Sequence, residues 1–143
     1  MKCEQGGYTI STDKDKLEIE VITRFLAEES YWANRRTREQ TVRAIDNSLC
    51  FGLFSPDRQI GFARVVTDFA TFAYLGDVFV LREYRGLGLS KWLMEVITEH
   101  PELQGLRRWL LATKDAHGLY EKYGFEPLRF PDRWLEKTFP GAY

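Results

Sequence analysis

The sequence predicts a mixed α/β fold, in which a mostly antiparallel sheet carries one parallel strand pair and is flanked by helices. Three observations predict it. Leu49–Phe54, residues 59–66 and Phe72–Val80 are rich in β-favouring residues and are separated only by turn chemistry at 55–58 and 67–71, which makes an antiparallel meander. The third run passes through a turn with two glycines into an amphipathic helix, where Leu89, Trp92, Leu93, Val96 and Ile97 share one face. A further apolar run, 106–112, follows that helix, and a helical crossover makes it parallel to the strand before the turn.

Taken from the N-terminus, Tyr8, Thr9 and Ile10 read as a first short strand. Thr12 and Asp15 have capping-box spacing, and Leu17, Val21, Ile22, Phe25 and Leu26 form the apolar face of a helix. Residues 28–36 break the period. There Tyr31 and Trp32, followed by Arg35 and Arg36, are placed to line a substrate groove or to pack as a surface loop. Thr37 and Gln40 repeat the capping-box spacing, and Val42, Ile45 and Leu49 carry a second helix to about Asn47. The run 59–66 has apolar side chains of both parities, so both sheet faces should be covered at least in part. His100-Pro101 closes the long helix, because the residue before proline is pushed out of the helical region. Residues 116–123 predict a short helix stopped at Gly124, and 125–128 a last short strand. In the tail, Trp134, Leu135 and Phe139 are expected to dock on the body; left exposed they would be a sticky patch, consistent with a homodimer.

The 143 residues suit one domain over 1–143, and 44% hydrophobic with 29% charged residues permit a packed core. A net charge of −1 argues against a dedicated nucleic-acid binder. No apolar run approaches the roughly 20 residues that span a bilayer, and the first residues have no apolar signal region. Two cysteines, Cys3 and Cys50, make neither a zinc site nor a disulfide framework, so no metal and a cytoplasmic location are expected.

The turn after Val80 holds the most specific signal. Arg85, Gly86, Leu87, Gly88, Leu89 and Ser90 deliver a helix N-terminus with free amides, a helix dipole and a nearby guanidinium, which together favour a phosphate-bearing ligand. A tight turn with structural glycines would look the same. A nucleoside-triphosphatase loop fits poorly, since G-x-x-x-x-G-K-[ST] is missing, and a dinucleotide fingerprint fails at Lys91, where its third glycine should stand. The stretch R-G-L-G-L-S after a valine-ended strand resembles the pyrophosphate loop of the GNAT superfamily of N-acetyltransferases, with Ser90 in a place that usually holds Gly or Ala. A second segment, A-H-G-L-Y-E-K-Y-G-F at 116–125, resembles the same family's A-x-x-[L/F]-Y-x-K-x-G-F helix, and the order of elements matches the family over nearly the whole chain.

This resemblance implies acetyl-CoA or another acyl-CoA as co-substrate and an amine acceptor, small molecule or protein. It implies that amides of residues 85–90 hold the pyrophosphate, that Val78, Phe79 and Val80 pair with the pantetheine arm, and that the following parallel strand splays away to admit it. Thr113 stands where relatives often have the asparagine that meets pantetheine. Tyr120 becomes the general acid for the departing thiolate: a thiol near pKa of about 8.5 can take a proton from a phenol near about 10. Read without the family, Tyr120 is better explained as a core aromatic with its hydroxyl satisfied by a carbonyl. For the base, strict alternation puts Tyr74, Gly76, Val78 and Val80 on one strand face and Leu75, Asp77 and Phe79 on the other. Asp77, amid apolar neighbours, could have a raised pKa and serve as base, or it could cap a turn or pair with an arginine. Asp68, Tyr74 and bulk water are the alternates, and Tyr74 joins Tyr31 and Trp32 as an acceptor-side residue. His117 reads as a solvated helix histidine or as a contact near the acid. Neither cysteine has a base partner in sequence, which favours direct attack in a ternary complex over a covalent acyl-enzyme. A non-catalytic acyl-CoA-binding or sensing domain is the competing reading.

Overall fold

The computed structural model describes residues 1–142. One six-stranded sheet runs in chain order: β1 (Lys2–Gln5), β2 (Tyr8–Ser11), β3 (Leu49–Phe54), β4 (Gln59–Thr67), β5 (Phe72–Val80) and β6 (Arg108–Leu110). Neighbours are antiparallel except β5 and β6, which are parallel. The helices are α1 (Ile19–Glu28), α2 (Arg38–Asp46), α3 (Leu89–Thr98) and α4 (His117–Glu121).

The meander and α3 lie where the apolar runs and caps place them. α2 begins with a complete capping box, the Thr37 hydroxyl accepting from the Gln40 amide while the Gln40 side chain accepts from the Thr37 amide. The expected box at Thr12 and Asp15 does not form. Asp13 instead caps a single 3₁₀ turn at Lys14–Lys16, and α1 starts later, at Ile19. Its start is fixed by tertiary contact: the buried Gln59 side chain accepts from the Glu18 amide at 2.7 Å and donates to the Gly61 carbonyl at 3.0 Å. β1 has no apolar pattern and is almost wholly exposed; Gly6 and Gly7, both at positive φ, turn it back along β2.

Helices cover both faces of the sheet. The Cys50 thiol donates to the Ile45 carbonyl of α2, while the next side chain, Phe51, meets His100 just past α3 edge-on at 5.6 Å. Successive residues of a strand point to opposite faces, so α2 and the end of α3 lie on opposite sides. Ile22, Phe25 and Leu26 of α1 and Leu93, Met94 and Ile97 of α3 are accordingly buried.

Two expectations near the C-terminus are corrected. Residues 125–128 form no strand; Phe125 is held by ring contacts with Trp109 and Tyr120 at 6.2 and 6.1 Å. Only part of the tail docks. Trp134 is half-buried under the Arg108 guanidinium, 4.7 Å from its ring centre, whereas Leu135 and Phe139 are 98% and 67% exposed. No helix among the described residues is long and apolar enough to cross a membrane.

Candidate active site

β5 changes character halfway along. Its pairing with β6 covers only Phe72↔Arg108, Ala73↔Trp109 and Tyr74↔Leu110. Beyond these, no ladder pairing joins residues 75–80 to the segment after Leu110. On its other edge β5 slips register against β4: Phe79 pairs with Phe62 but Gly76 pairs with Arg64, so Asp77 and Val78 together oppose Ala63. This is a β-bulge. Asp77 adopts φ 52°, a left-handed conformation that costs a non-glycine residue roughly 1–2 kcal/mol.

The bulge overturns the strict alternation expected for β5. Cross-strand partners share a face, so Tyr74, Gly76 and Phe79 lie with Val66, Arg64 and Phe62. The Asp77 carboxylate is on that face too, since it bonds the Arg64 side chain. Phe79 stacks there on Phe25 of α1, ring centres 4.0 Å apart. The available signal was Gly76, because a glycine inside a strand often marks a bulge.

Asp77 is buried, and three donors hold it. Trp32 Nε1 donates to Oδ1 at 3.0 Å; Arg36 and Arg64 donate to Oδ2 at 2.7 and 2.9 Å. The side chains of Asp77, Arg36 and Arg64 are only 3%, 8% and 13% exposed, so this is an interior ion cluster. Burial alone would raise the Asp77 pKa, but the hydrogen bonds and charges of the two arginines outweigh it and hold the carboxyl below its ordinary value. The upward shift expected of a base is therefore corrected to a downward one. Arg64 was missed in the sequence; the signal was a single cation within the apolar run of β4.

At the end of β5 the chain makes a 3₁₀ turn at Arg82–Tyr84, whose last bond uses the Arg85 amide. The Arg85 side chain folds back and donates from Nε to the Val80 carbonyl at 2.9 Å, fixing the loop to the strand. Gly86 and Gly88 have φ 82° and 77°, and Leu89 opens α3. Among the described residues, the amides of Gly86, Leu87, Gly88, Leu89 and Ser90 donate to no carbonyl or side chain. A Cβ on Gly86 or Gly88 would meet nothing within 4 Å, so each glycine is needed for its dihedral and leaves the surface above the loop open.

Beyond β6, α4 carries Tyr120. Its phenol is pushed up from the usual tyrosine value by burial, with Tyr31 and Asp115 acting in the same direction, so it stays protonated at neutral pH. The Thr113 hydroxyl oxygen accepts from the Ala116 amide at 3.1 Å and anchors the turn before α4, leaving its hydrogen to donate. Tyr31 and Trp32 meet edge-on at 5.1 Å. Trp32 reaches the bulge, while the Tyr31 phenol oxygen accepts from the Lys114 amide at 2.8 Å. The 28–36 segment thus touches both the β5 bulge and the turn before α4. Tyr74 is half-buried on the Asp77 face, its ring over Gly76.

Other candidates lie elsewhere. Asp68 is fully exposed and accepts from the Ala70, Thr71 and Phe72 amides and the Thr71 hydroxyl, which hold its pKa well below the usual range; it is a turn cap. His117 is exposed. Among the described residues no group of three or more His, Cys, Asp or Glu side chains is placed to hold a metal ion.

Comparison with known proteins places this fold in a family. A Gibberella zeae protein, provisionally assigned as an acetyltransferase, is 31% identical over 82% of this chain and 78% of its own length. A crystal structure from Xanthomonas campestris pv. campestris, provisionally assigned as a GNAT-family acetyltransferase, superposes with TM-score 0.94 at 53% identity, covering 98% of this chain and 99% of that one. A Clostridium acetobutylicum protein, provisionally assigned as an acetyltransferase and solved with acetyl-CoA, shares the fold at TM-score 0.67 and 19% identity, over 92% of this chain and 94% of its own. The family model described as "Acetyltransferase (GNAT) family" matches residues 19–125. That match runs from the start of α1 to the residue after Gly124, well over half of the sequence, and the chain belongs to the GNAT family of acetyltransferases.

Proposed function

We propose that the protein transfers an acetyl group from acetyl-CoA to a primary amine by direct attack within a ternary complex. The observation that carries this reading is the combination of a parallel ladder that ends at Tyr74 with five unengaged amides, 86–90, at the N-terminus of α3. Such amides suit a diphosphate. Arg85, whose own amide closes the preceding turn, contributes through its side chain by fixing the loop. The strand end Val78–Phe79–Val80 offers main-chain groups to the pantetheine arm, with Thr113 on the opposite wall. Acetyl-CoA supplies the activated acyl group as a thioester.

Each remaining task falls to a group of this chain. Asp77 and Val78 share the bulge opposite Ala63, and a main-chain amide there is assigned to donate where negative charge develops on the acetyl oxygen. Tyr120 delivers its phenolic proton to the thiolate as the carbon–sulfur bond breaks and recovers it from solvent. Asp77 is not assigned as base: its oxygens are occupied by three donors and its pKa is lowered. It fixes the bulge instead, and the amine loses its proton to water. Direct attack is supported by Cys50, a buried thiol pushed up to about 11 by burial and donating to the Ile45 carbonyl, far from thiolate character. Tyr31, Trp32 and Tyr74 form the acceptor side.

The test is Tyr120→Phe, assayed by thiol release from acetyl-CoA over a panel of amines. The expected result is a kcat lower by about 10²–10⁴-fold, with CoA affinity retained. An unchanged kcat removes Tyr120 from the mechanism. If the wild-type chain binds CoA and acetylates no amine in the panel, the non-catalytic acyl-CoA-binding reading takes its place.

A further inference from the structure

Beside the Asp77 cluster, between α2 and β4, lies an open cavity of about 420 Å³. Its lining is Arg36, Gln40, Arg43, Ala44, Asn47 and Arg64: three guanidiniums, two carboxamides, one methyl group and no carboxylate. Two of these cations are mounted in place. Arg64 is fixed by Asp77 through Nε and by the Ser48 hydroxyl through a terminal nitrogen at 3.1 Å; Arg36 bonds the same carboxylate. Arg43 stands exposed on α2, one turn from both Gln40 and Asn47, and the Asn47 side chain donates to its carbonyl at 2.8 Å. Asp77 pairs with two of the three guanidiniums, Arg36 and Arg64, and the lining itself holds no carboxylate, so the local charge is positive in a chain whose net charge is −1. Planar guanidiniums match the geometry of an oxyanion, and they do so best when already oriented.

The cavity adjoins the proposed reaction point. Arg64 pairs with Gly76, the residue before the bulge, and its side chain shares a face with Asp77. We propose that this cavity is the anion subsite of the acceptor, holding a carboxylate or phosphate group while the amine of the same molecule extends along β5 towards the bulge. The word acceptor rests on the acetyl-transfer reading; the anion subsite itself does not.

Two experiments separate these parts. First, the full chain is titrated with inorganic phosphate at low ionic strength and binding is followed by calorimetry. Arg43→Ala should weaken binding about ten-fold or more, as loss of a charge-assisted contact does. Arg58→Ala, which removes the same charge from the β3–β4 turn, should leave binding unchanged. No phosphate binding by the wild type, or equal loss in both variants, overturns the subsite. Second, with acetyl-CoA present, 2-aminoethyl phosphate, 3-aminopropanoate and 2-aminoethanol are compared. The anionic amines should show kcat/KM at least ten-fold above the neutral one, and Arg43→Ala should collapse that preference while Arg43→Lys keeps part of it. The better of the two anionic amines identifies phosphate or carboxylate as the preferred group. Equal use of all three amines overturns the acceptor role. If none is acetylated, the transfer reading fails at this step, and the phosphate titration alone decides the cavity.

Discussion

The two ends of the C-terminal half of β5 are built in opposite ways. At one end, the 86–90 loop gets its shape from within itself: two glycines at positive φ, a 3₁₀ turn and the start of a helix. At the other, the Asp77 bulge holds a non-glycine residue at φ 52° only because side chains from the 28–36 segment and β4 converge on its carboxylate. The loop exposes its unengaged amides at little conformational cost. The bulge is strained and is held by tertiary contacts. The site thus rests one wall on local geometry and the other on an ion cluster, and the two should fail differently.

The largest effect is expected from Asp77→Ala. It leaves two guanidiniums without their shared buried partner and should cost about 3–5 kcal/mol, measured by urea unfolding. A variant as stable as the wild type would show that the bulge does not depend on the cluster. The same carboxylate predicts a pH dependence. Its pKa is lowered on folding, so its contribution is complete above the ordinary carboxylate value near 3.8 and is lost as pH falls through the lower folded value. Acid unfolding of the wild type should therefore be steeper below about pH 4 than that of Asp77→Asn. Trp32→Phe keeps an aromatic ring and removes one donor to the carboxylate; about 1.5–3 kcal/mol should be lost, with acetyl-donor affinity little changed. Gly88→Ala sharpens the contrast from the other side. Stability should fall by only about 1–2 kcal/mol, the cost of a left-handed alanine, while CoA affinity falls further because the amides turn away. The smallest effect is expected from Asp68→Asn, since that carboxylate is fully exposed and serves one turn; a slight drop in melting temperature with unchanged kcat is the expected outcome.

What was legible in the sequence follows the same division. The Thr37–Gln40 capping box, the bounds of β5 and the α3 face are encoded within a few residues, and each formed as read. The β1–β2 hairpin was missed because β1 is exposed and carries no apolar period. Residues 125–128 look like a strand, yet Phe125 finds its partners through ring contacts instead of a ladder. In the site, the glycine loop and the position of Tyr120 on a helix were readable from spacing. The fate of Asp77 was not, because its protonation depends on Arg36 and Arg64, 41 and 13 residues away along the chain. Pairing with an arginine had been open at that position, and no local pattern could have chosen it.

One tether has a wider consequence. α4 is a single short turn of helix, too brief to hold its own shape in water. The Tyr123 hydroxyl moors it to α3 by donating to the Lys91 carbonyl at 2.9 Å, at the other end of the motif from Thr113. The aim of the Tyr120 phenol is therefore borrowed from a neighbouring helix, the same one whose first amides we propose hold the diphosphate. Sway in α3 would reach both ends of a bound donor at once.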